Sequence, residues 1–290
     1  MKILHFSDPH LTPQLPRVPA LDWMSKRITG ALNYLLRRRR YYTAVRRKLT
    51  ALAEFVDQQG VEIVLCTGDY TTLGTSHELA EARQLIQPMI DLSSLYMTIP
   101  GNHDLYAGDT VKENRFGKSF GDLFETDFPE HAVDGPWPQV KLIDEHHAVI
   151  AVNGAIPHWE PWSATGHVSS KQLGALVDLF ALSAIRDRFL FILTHHVPLE
   201  GKDEAGGRTH RLVNANEYLR VCSMAGKGAL LFGHVHKCYS RDLPGLTLYN
   251  AGSATMDGRE GLWIFETTRD GVEAQRGYWS EDHYELGSGR

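Results

Sequence analysis

The chain has 290 residues, 42% of them apolar and 22% charged, with a formal net charge of −5. That is the make-up of a folded globular protein and excludes a disordered chain. No apolar run reaches the roughly 20 residues that cross a bilayer. Three cysteines, Cys66, Cys222 and Cys238, form no CxxC pair and no even framework, so they read as reduced thiols, Cys66 within a strand.

In chain order, the opening MKILHFSDPH is broken by His5 and Asp8 before a signal-peptide core can form. It reads as the first strand of a cytoplasmic protein. Next comes a segment of unusual charge. Residues 17–48 hold ten Lys or Arg against one acid, Asp22, a local +9, so the remainder of the chain carries −14. Basic character is thus one patch, which argues against a general nucleic-acid binder. Within it, Leu21, Met24, Ile28, Leu32 and Leu35 recur at helical spacing, with Trp23, Ala31, Tyr34 and Leu36 widening the apolar side and Lys26, Arg27 and Asn33 away from it. Gly30, about 1 kcal/mol worse than Ala in a helix, predicts a bend or mobility there. Arg37–Arg40 end the segment.

Further on, EIVLCTGD, LYMTIPGNHD, HAVIAVNG, RFLFILTHH and GALLFGHVH are strand-length apolar runs ending in glycine-marked polar loops. Helical spacing lies between them. Val45, Leu49, Leu52 and Val56 share a face that stops near Gly60; Leu79, Ala82, Leu85, Ile86 and Met89 share one that begins near Ser76. Ser169 with Gln172 predicts a capping box for a third helix, carried by Leu173, Leu176, Val177 and Phe180. His146 and His147 read as surface or edge residues of a strand. The last part, LTLYNAGS, GLWIFET and VEAQRGYW, is strand-rich without helices and predicts a second sheet packed on the first. The expected organisation is one domain over residues 1–279, with a basic amphipathic insertion at about 11–45 and a polar, fraying tail over 280–290.

Polar residues gather where the strands end, the usual ligand crevice of α/β sheets. Five ends carry Asp8 and His10, then Asp69, then Asn102, His103 and Asp104, then His195 and His196, then His234 and His236. A set of Asp, Asn and His without thiolate suits Mn²⁺, Fe, Zn²⁺ or Co²⁺ better than a soft metal. In an extended segment residues i and i+2 point the same way, so Asp8 with His10 and His234 with His236 each present two ligands to one side, Pro9 keeping the first pair extended. Gly68, Gly101 and Gly233 precede these groups and allow close backbone approach. His195 and His196 are adjacent, so only one of them serves easily as a ligand. Taken singly, an HxH or a GD is more often structural; five in this order are not.

The series DPH, GD, GNHD, His-His-x-Pro and GHVH, over residues 1 to about 255, resembles the calcineurin-like metallophosphoesterase superfamily. The resemblance implies a four-layer α/β/β/α sandwich of two mixed sheets and a site for two divalent ions, manganese favoured. Asp8, His10 and His236 would hold the first ion, Asn102, His195 and His234 the second, and Asp69 both, with phosphoester hydrolysis by a hydroxide shared between them. His195 is favoured over His196 on the same ground. His103, not needed as a ligand, would protonate the leaving oxygen or stabilise its charge, and Asp104 would orient its ring. GDYTTLG and GNHD, in place of GDxxDRG and GNHE, speak against the protein-phosphatase branch.

Substrate choice then rests on the insertion. An amphipathic helix with Trp, Tyr and a basic end fits a membrane interface; packing on its own core with a solvated arginine terminus is the other account. A basic, apolar insertion beside such a site resembles that of the UDP-2,3-diacylglucosamine pyrophosphatases, so the leading expectation is a lipid-linked pyrophosphate, hydrolysed in the cytoplasm or at the inner face of the membrane. The alternatives are a soluble phosphodiesterase of cyclic nucleotides or other diesters, and a membrane- or nucleic-acid-binding protein that keeps the metal site. His196, Arg208 and Arg211 are candidate substrate contacts, with a solvated loop the competing account for the arginines and for His210. Trp159 and Trp162 either rim a pocket or anchor a long loop. Gly252 and Ser253, in NAGSAT, read as architectural.

Overall fold

Strand formation follows the alternation in the apolar runs. In β1 (Lys2–Phe6), Ile3 enters the core between two sheets while Leu4 and Phe6 face the helices outside. The structure, a computed structural model, describes residues 1–199, 207–269 and 271–287. One sheet combines β1 with β2 (Ile63–Cys66) and β3 (Leu95–Thr98), both parallel, and on its other side with β10 (Leu262–Thr267), β11 (Val272–Ser280) and β12 (His283–Leu286). The second runs in the order β4 (Gln139–Leu142), β5 (His147–Ala151), β6 (Phe189–Leu193), β7 (Gly228–Phe232), β9 (Leu246–Ala251), β8 (Cys238–Leu243).

The sheets meet face to face over Leu65, Met97, Val149, Phe191, Leu231 and Phe265. Helices α2 (Val45–Gln59), α3 (Ser76–Leu92) and α5 (Arg115–Phe120), the last preceded by the short α4 (Gly108–Lys112), cover the first sheet; α6 (Ser170–Ala181) and α7 (Ala215–Cys222) cover the second. The result is the four-layer α/β/β/α sandwich of two mixed sheets.

Local signals act as their chemistry dictates. Gly60 ends α2 in the left-handed region, and Thr75 with Glu78 forms a complete capping box on α3. Ser169 caps α6 by accepting from the Gln172 amide, but the Gln172 side chain turns to Asn153 and Asp134, so only half of the expected box forms.

Three expectations need correction. The late strands do not build a sheet of their own: β9 extends the second sheet and β10–β12 the first, because β10 pairs antiparallel with β1. The expected fraying tail instead contains β12, whose Tyr284 is buried against Phe55; residues 288–290 lie outside the described residues. His147 is buried, its ring nitrogen 2.9 Å from Asp144, and only His146 is exposed.

The insertion is folded and inverted. Short 3-10 turns (Leu15–Arg17, Ala20–Trp23) lead into α1 (Arg27–Asn33), a π-helical turn (Tyr34–Arg38) and a final 3-10 turn (Arg39–Tyr41). Arg27, Ala31 and Tyr34 form its inner face. Arg27 is fully buried, donating to the Leu73 carbonyl and pairing with Asp109 at 2.8 Å, while Arg115 grips Asp22 with two bonds of 2.7 and 2.9 Å. Buried pairs of this kind fix position more than they add stability. Of the apolar stripe, Leu21, Met24, Ile28, Leu32 and Leu35 face outward, against the account in which the helix packs on its own core, while Ala31 and Tyr34 from its flank are buried. Nor does Gly30 mark mobility: a Cβ there would collide with the Tyr106 hydroxyl, so glycine is what lets the helix settle.

Candidate metal centre

The site sits where β1, β2, β3, β6 and β7 end. At those ends the backbone turns sharply: Asp8, His10, Asp69, His234 and His236 all have positive φ, between 36° and 73°. Non-glycine residues in that region are uncommon and cluster at functional sites. This corrects the expectation of extended pairs; even Asp8, before Pro9, is left-handed. The turn is held by Asp8 N–H donating to the Gly68 carbonyl, His10 N–H to that of Asp69, and the Ser253 hydroxyl to that of Asp8. Ser253 is thus architectural, as expected. Glycine is obligatory at 101 and 233, where a Cβ would strike the carboxylates of Asp69 and Asp8.

The turned backbone brings three groups of ligand atoms together: Asp8, His10 and His236; His10, Asp69 and His103; Asp69, His195 and His234. Asp69 is shared by two of them, its Oδ2 3.6 Å from His10 Nε2 and 3.3 Å from His195 Nε2. The Asn102 Oδ1 lies 3.2 Å from His195 Nε2, on the same side. His234 and His236 fall in different groups, so that pair straddles the centre.

Backbone carbonyls set the tautomers. His10 Nδ1 faces the Thr71 carbonyl at 2.9 Å, His195 Nδ1 that of Thr67 at 2.7 Å, His103 Nδ1 that of Thr72 at 2.7 Å, and His234 Nε2 that of His210 at 2.7 Å. A carbonyl only accepts, so each ring donates there and turns its other nitrogen inward, the nitrogen that a metal would take. His236 Nε2 approaches His10 Nε2 and Asp8 Oδ1, both at 3.1 Å. Imidazole nitrogens and carboxylates converging on one place, with the Arg38 guanidinium donating to His103 alone, are the requirement of a cation, and orientation of metal-bound histidines by carbonyls is its usual accompaniment.

Electrostatics agree. Burial alone would raise the Asp8 and Asp69 carboxyls, but the histidines around them, His236 foremost for Asp8 and His195 for Asp69, hold both well below the usual range. His195 is opposed most by burial, yet Asp69 raises it to about 9: the cluster draws in positive charge. With oxygen and imidazole donors and no thiolate, the residues fit divalent ions.

The remaining candidates sort by geometry. His103 lies within the cluster, stacked on Tyr106 and edge-on to His10. Burial first, then Arg38, push its pKa well below 6.5, overriding Asp69. Asp104 does not touch that ring. Its carboxylate accepts from the amides of Asp69, Gly101 and Thr71 and so ties two site loops together, while the Thr72 carbonyl orients His103; burial, then Asp69, raise Asp104 to about 7. His196 is fully buried, its Nε2 held by the Ala164 carbonyl and its ring against His234, so it backs a candidate ligand. Arg208 and Arg211 are exposed; Thr209 and His210, between them, line the cleft.

That cleft, about 670 Å³, opens onto Asn102 and His103 and is walled by Leu32, Leu36 and Arg38 of the insertion and by Trp162 opposite. Arg38 escaped the sequence reading, hidden in a run of four. So did the carbonyls that accept from the histidines, because any residue supplies one.

Fold and site together define a metal-dependent phosphoesterase. The profile of the calcineurin-like phosphoesterases matches residues 1–238, and the chain belongs to that family. Among solved structures, a dimetal phosphatase from Danio rerio aligns over 98% of both chains with a TM-score of 0.66 at 12% identity. Purple acid phosphatase PPD1 from yellow lupin (Lupinus luteus) aligns over 96% of this chain but 51% of its own, TM-score 0.60, 12% identity. GAP50, described as the anchor in the inner membrane complex of Plasmodium, aligns over 99% and 88%, TM-score 0.54, 10% identity. At such identities the likeness is one of fold. No protein with a curated description matches the chain.

Proposed function

We propose that the protein hydrolyses a lipid-linked phosphoester or pyrophosphate, with UDP-2,3-diacylglucosamine the leading candidate, at the inner face of a membrane. The observation that carries this reading is the inverted insertion. Leu21, Met24 and Leu36 are each at least 80% exposed, and Trp159 and Trp162 stand exposed nearby in the chain loop that rims the cleft. Exposed apolar groups in this concentration, beside a basic run, mark an interaction surface rather than a fold requirement. No described helix is long and apolar enough to cross a membrane, so attachment would be interfacial.

In this reading Asp8, His10 and His236 hold one divalent ion, Asn102, His195 and His234 a second, and Asp69 both, with manganese favoured. Bound ions would supply Lewis acidity and an activated water. The chain does the rest. The carbonyls of Thr67, Thr71 and His210 keep the ligand lone pairs inward, and Leu32, Leu36 and Trp162 give an acyl chain an apolar wall that excludes water beside the reacting phosphate.

The test is a Mn²⁺-supplemented panel of an aryl phosphodiester, cyclic AMP and UDP-2,3-diacylglucosamine, with Asp69→Ala as control. The lipid-linked substrate should show the highest kcat/KM, and Asp69→Ala should abolish turnover. Cyclic AMP or the aryl diester turned over faster than the lipid would replace the reading with a soluble phosphodiesterase. No turnover of any of the three would leave a binding protein.

A further inference from the structure

We propose that Arg38, delivered by the insertion, binds the reacting phosphate; this rests on the phosphoesterase reading and adds a residue from outside the strand-end motifs. Arg37, Arg39 and Arg40 are exposed, whereas Arg38 is half-buried and lines the cleft beside Asn102 and His103. It closes the π-helical turn, and such turns inside helices are frequent at functional sites.

Its seat is built. One guanidinium nitrogen donates to His103 Nε2 at 3.2 Å and another to the Tyr42 hydroxyl at 3.1 Å, while the group lies over the Tyr42 ring, 5.5 Å from its centre. Tyr42 is itself buried and packs edge-on against His10, so Arg38 is anchored to the ligand cluster on both sides. The fully buried cations of the chain have counter-ions. Arg27 pairs with Asp109, Arg115 with Asp22, and Lys48 with Asp257 and Glu260. Among the described residues no carboxylate forms an ion pair with Arg38.

A neutral imidazole is a weak partner for a guanidinium. A phosphoryl oxygen accepts a charge-assisted bond roughly twice as strong, and the planar fork suits two such oxygens. Substrate therefore draws Arg38 from His103, which frees the His103 Nε2 lone pair as the phosphate arrives. The insertion then senses the reacting group directly.

Arg38→Ala and Arg38→Lys are compared with the wild-type Mn²⁺-loaded protein on an aryl phosphodiester, with inorganic phosphate as competing probe and Arg39→Ala as control. For Arg38→Ala, kcat/KM should fall about 10- to 100-fold, the loss expected for one charged hydrogen-bonding group. The inhibition constant for phosphate should rise similarly, bound manganese should stay at the wild-type level, and added guanidinium should restore part of the rate. Lysine should recover only part of the loss, and Arg39→Ala should match wild type. Values of kcat/KM and phosphate inhibition within twofold of wild type for Arg38→Ala would overturn the proposal, as would lost manganese without guanidinium rescue. Should wild type turn over neither the diester nor the lipid-linked substrate, the phosphoesterase reading fails, and calorimetric phosphate binding decides for Arg38: binding by wild type but not by Arg38→Ala supports it, and equal binding overturns it.

Discussion

His103 holds two positions at once in this site. Its Nε2 belongs to a ligand group with His10 and Asp69, yet it accepts from Arg38 and its pKa lies well below the ordinary 6.5, so the ring is neutral at physiological pH. A leaving-group acid must instead present a proton, and that requires Arg38 to withdraw first. If His103 serves the leaving oxygen, His103→Ala lowers turnover about 10²- to 10⁴-fold while bound metal stays at the wild-type level; loss of metal would make it a ligand instead. Sequence spacing put His103 at the centre but misjudged its partner. Asp104 follows it in the chain, and an adjacent carboxylate is the natural guess for an orienting group. Main-chain geometry, invisible in the residue letters, gave that task to the Thr72 carbonyl and turned Asp104 toward three amides.

At the scale of elements, the insertion departs furthest from its pattern. A helical apolar stripe normally marks the face that packs, and here the packed face holds a buried arginine. Arg27 finds Asp109 and carbonyls on loops distant in sequence, so no local periodicity announces it. The strands were the reverse case: β1, β2, β6 and β7 are buried on both faces and their apolar runs read directly, whereas β4, β8 and β12 carry mixed residues and were missed. The exposed stripe has a direct test. Wild type should float with liposomes of anionic lipid, and a variant with Leu21, Met24 and Ile28 changed to Glu should stay in the soluble fraction, its turnover of a soluble diester retained. Each Lys or Arg near such a surface is worth about 1 kcal/mol, so Arg39→Glu with Arg40→Glu should weaken flotation in proportion. Wild type that does not float removes the membrane from the account.

For the whole molecule, strand ends of the two face-to-face sheets come together where His236 Nε2 lies 3.1 Å from Asp8 Oδ1. The metal centre therefore links both halves of the sandwich, and filling it should stabilise the entire fold rather than a loop. Manganese at about 100 times its dissociation constant should add about 2.7 kcal/mol. For a chain this long that raises Tm by about 4–5 °C. Scanning calorimetry with Mn²⁺ and with chelator measures it; Asp69→Ala should show little of the shift, and a wild type indifferent to manganese would remove the centre.

The left-handed backbone at Asp8, His10, Asp69, His234 and His236 has an evolutionary side. Each such residue costs on the order of 1–3 kcal/mol, and glycine would relieve most of that cost. The chemistry is thus maintained against a standing gradient toward sturdier, inert descendants. A change of any one of them to glycine would relax the backbone and remove that candidate ligand in the same step.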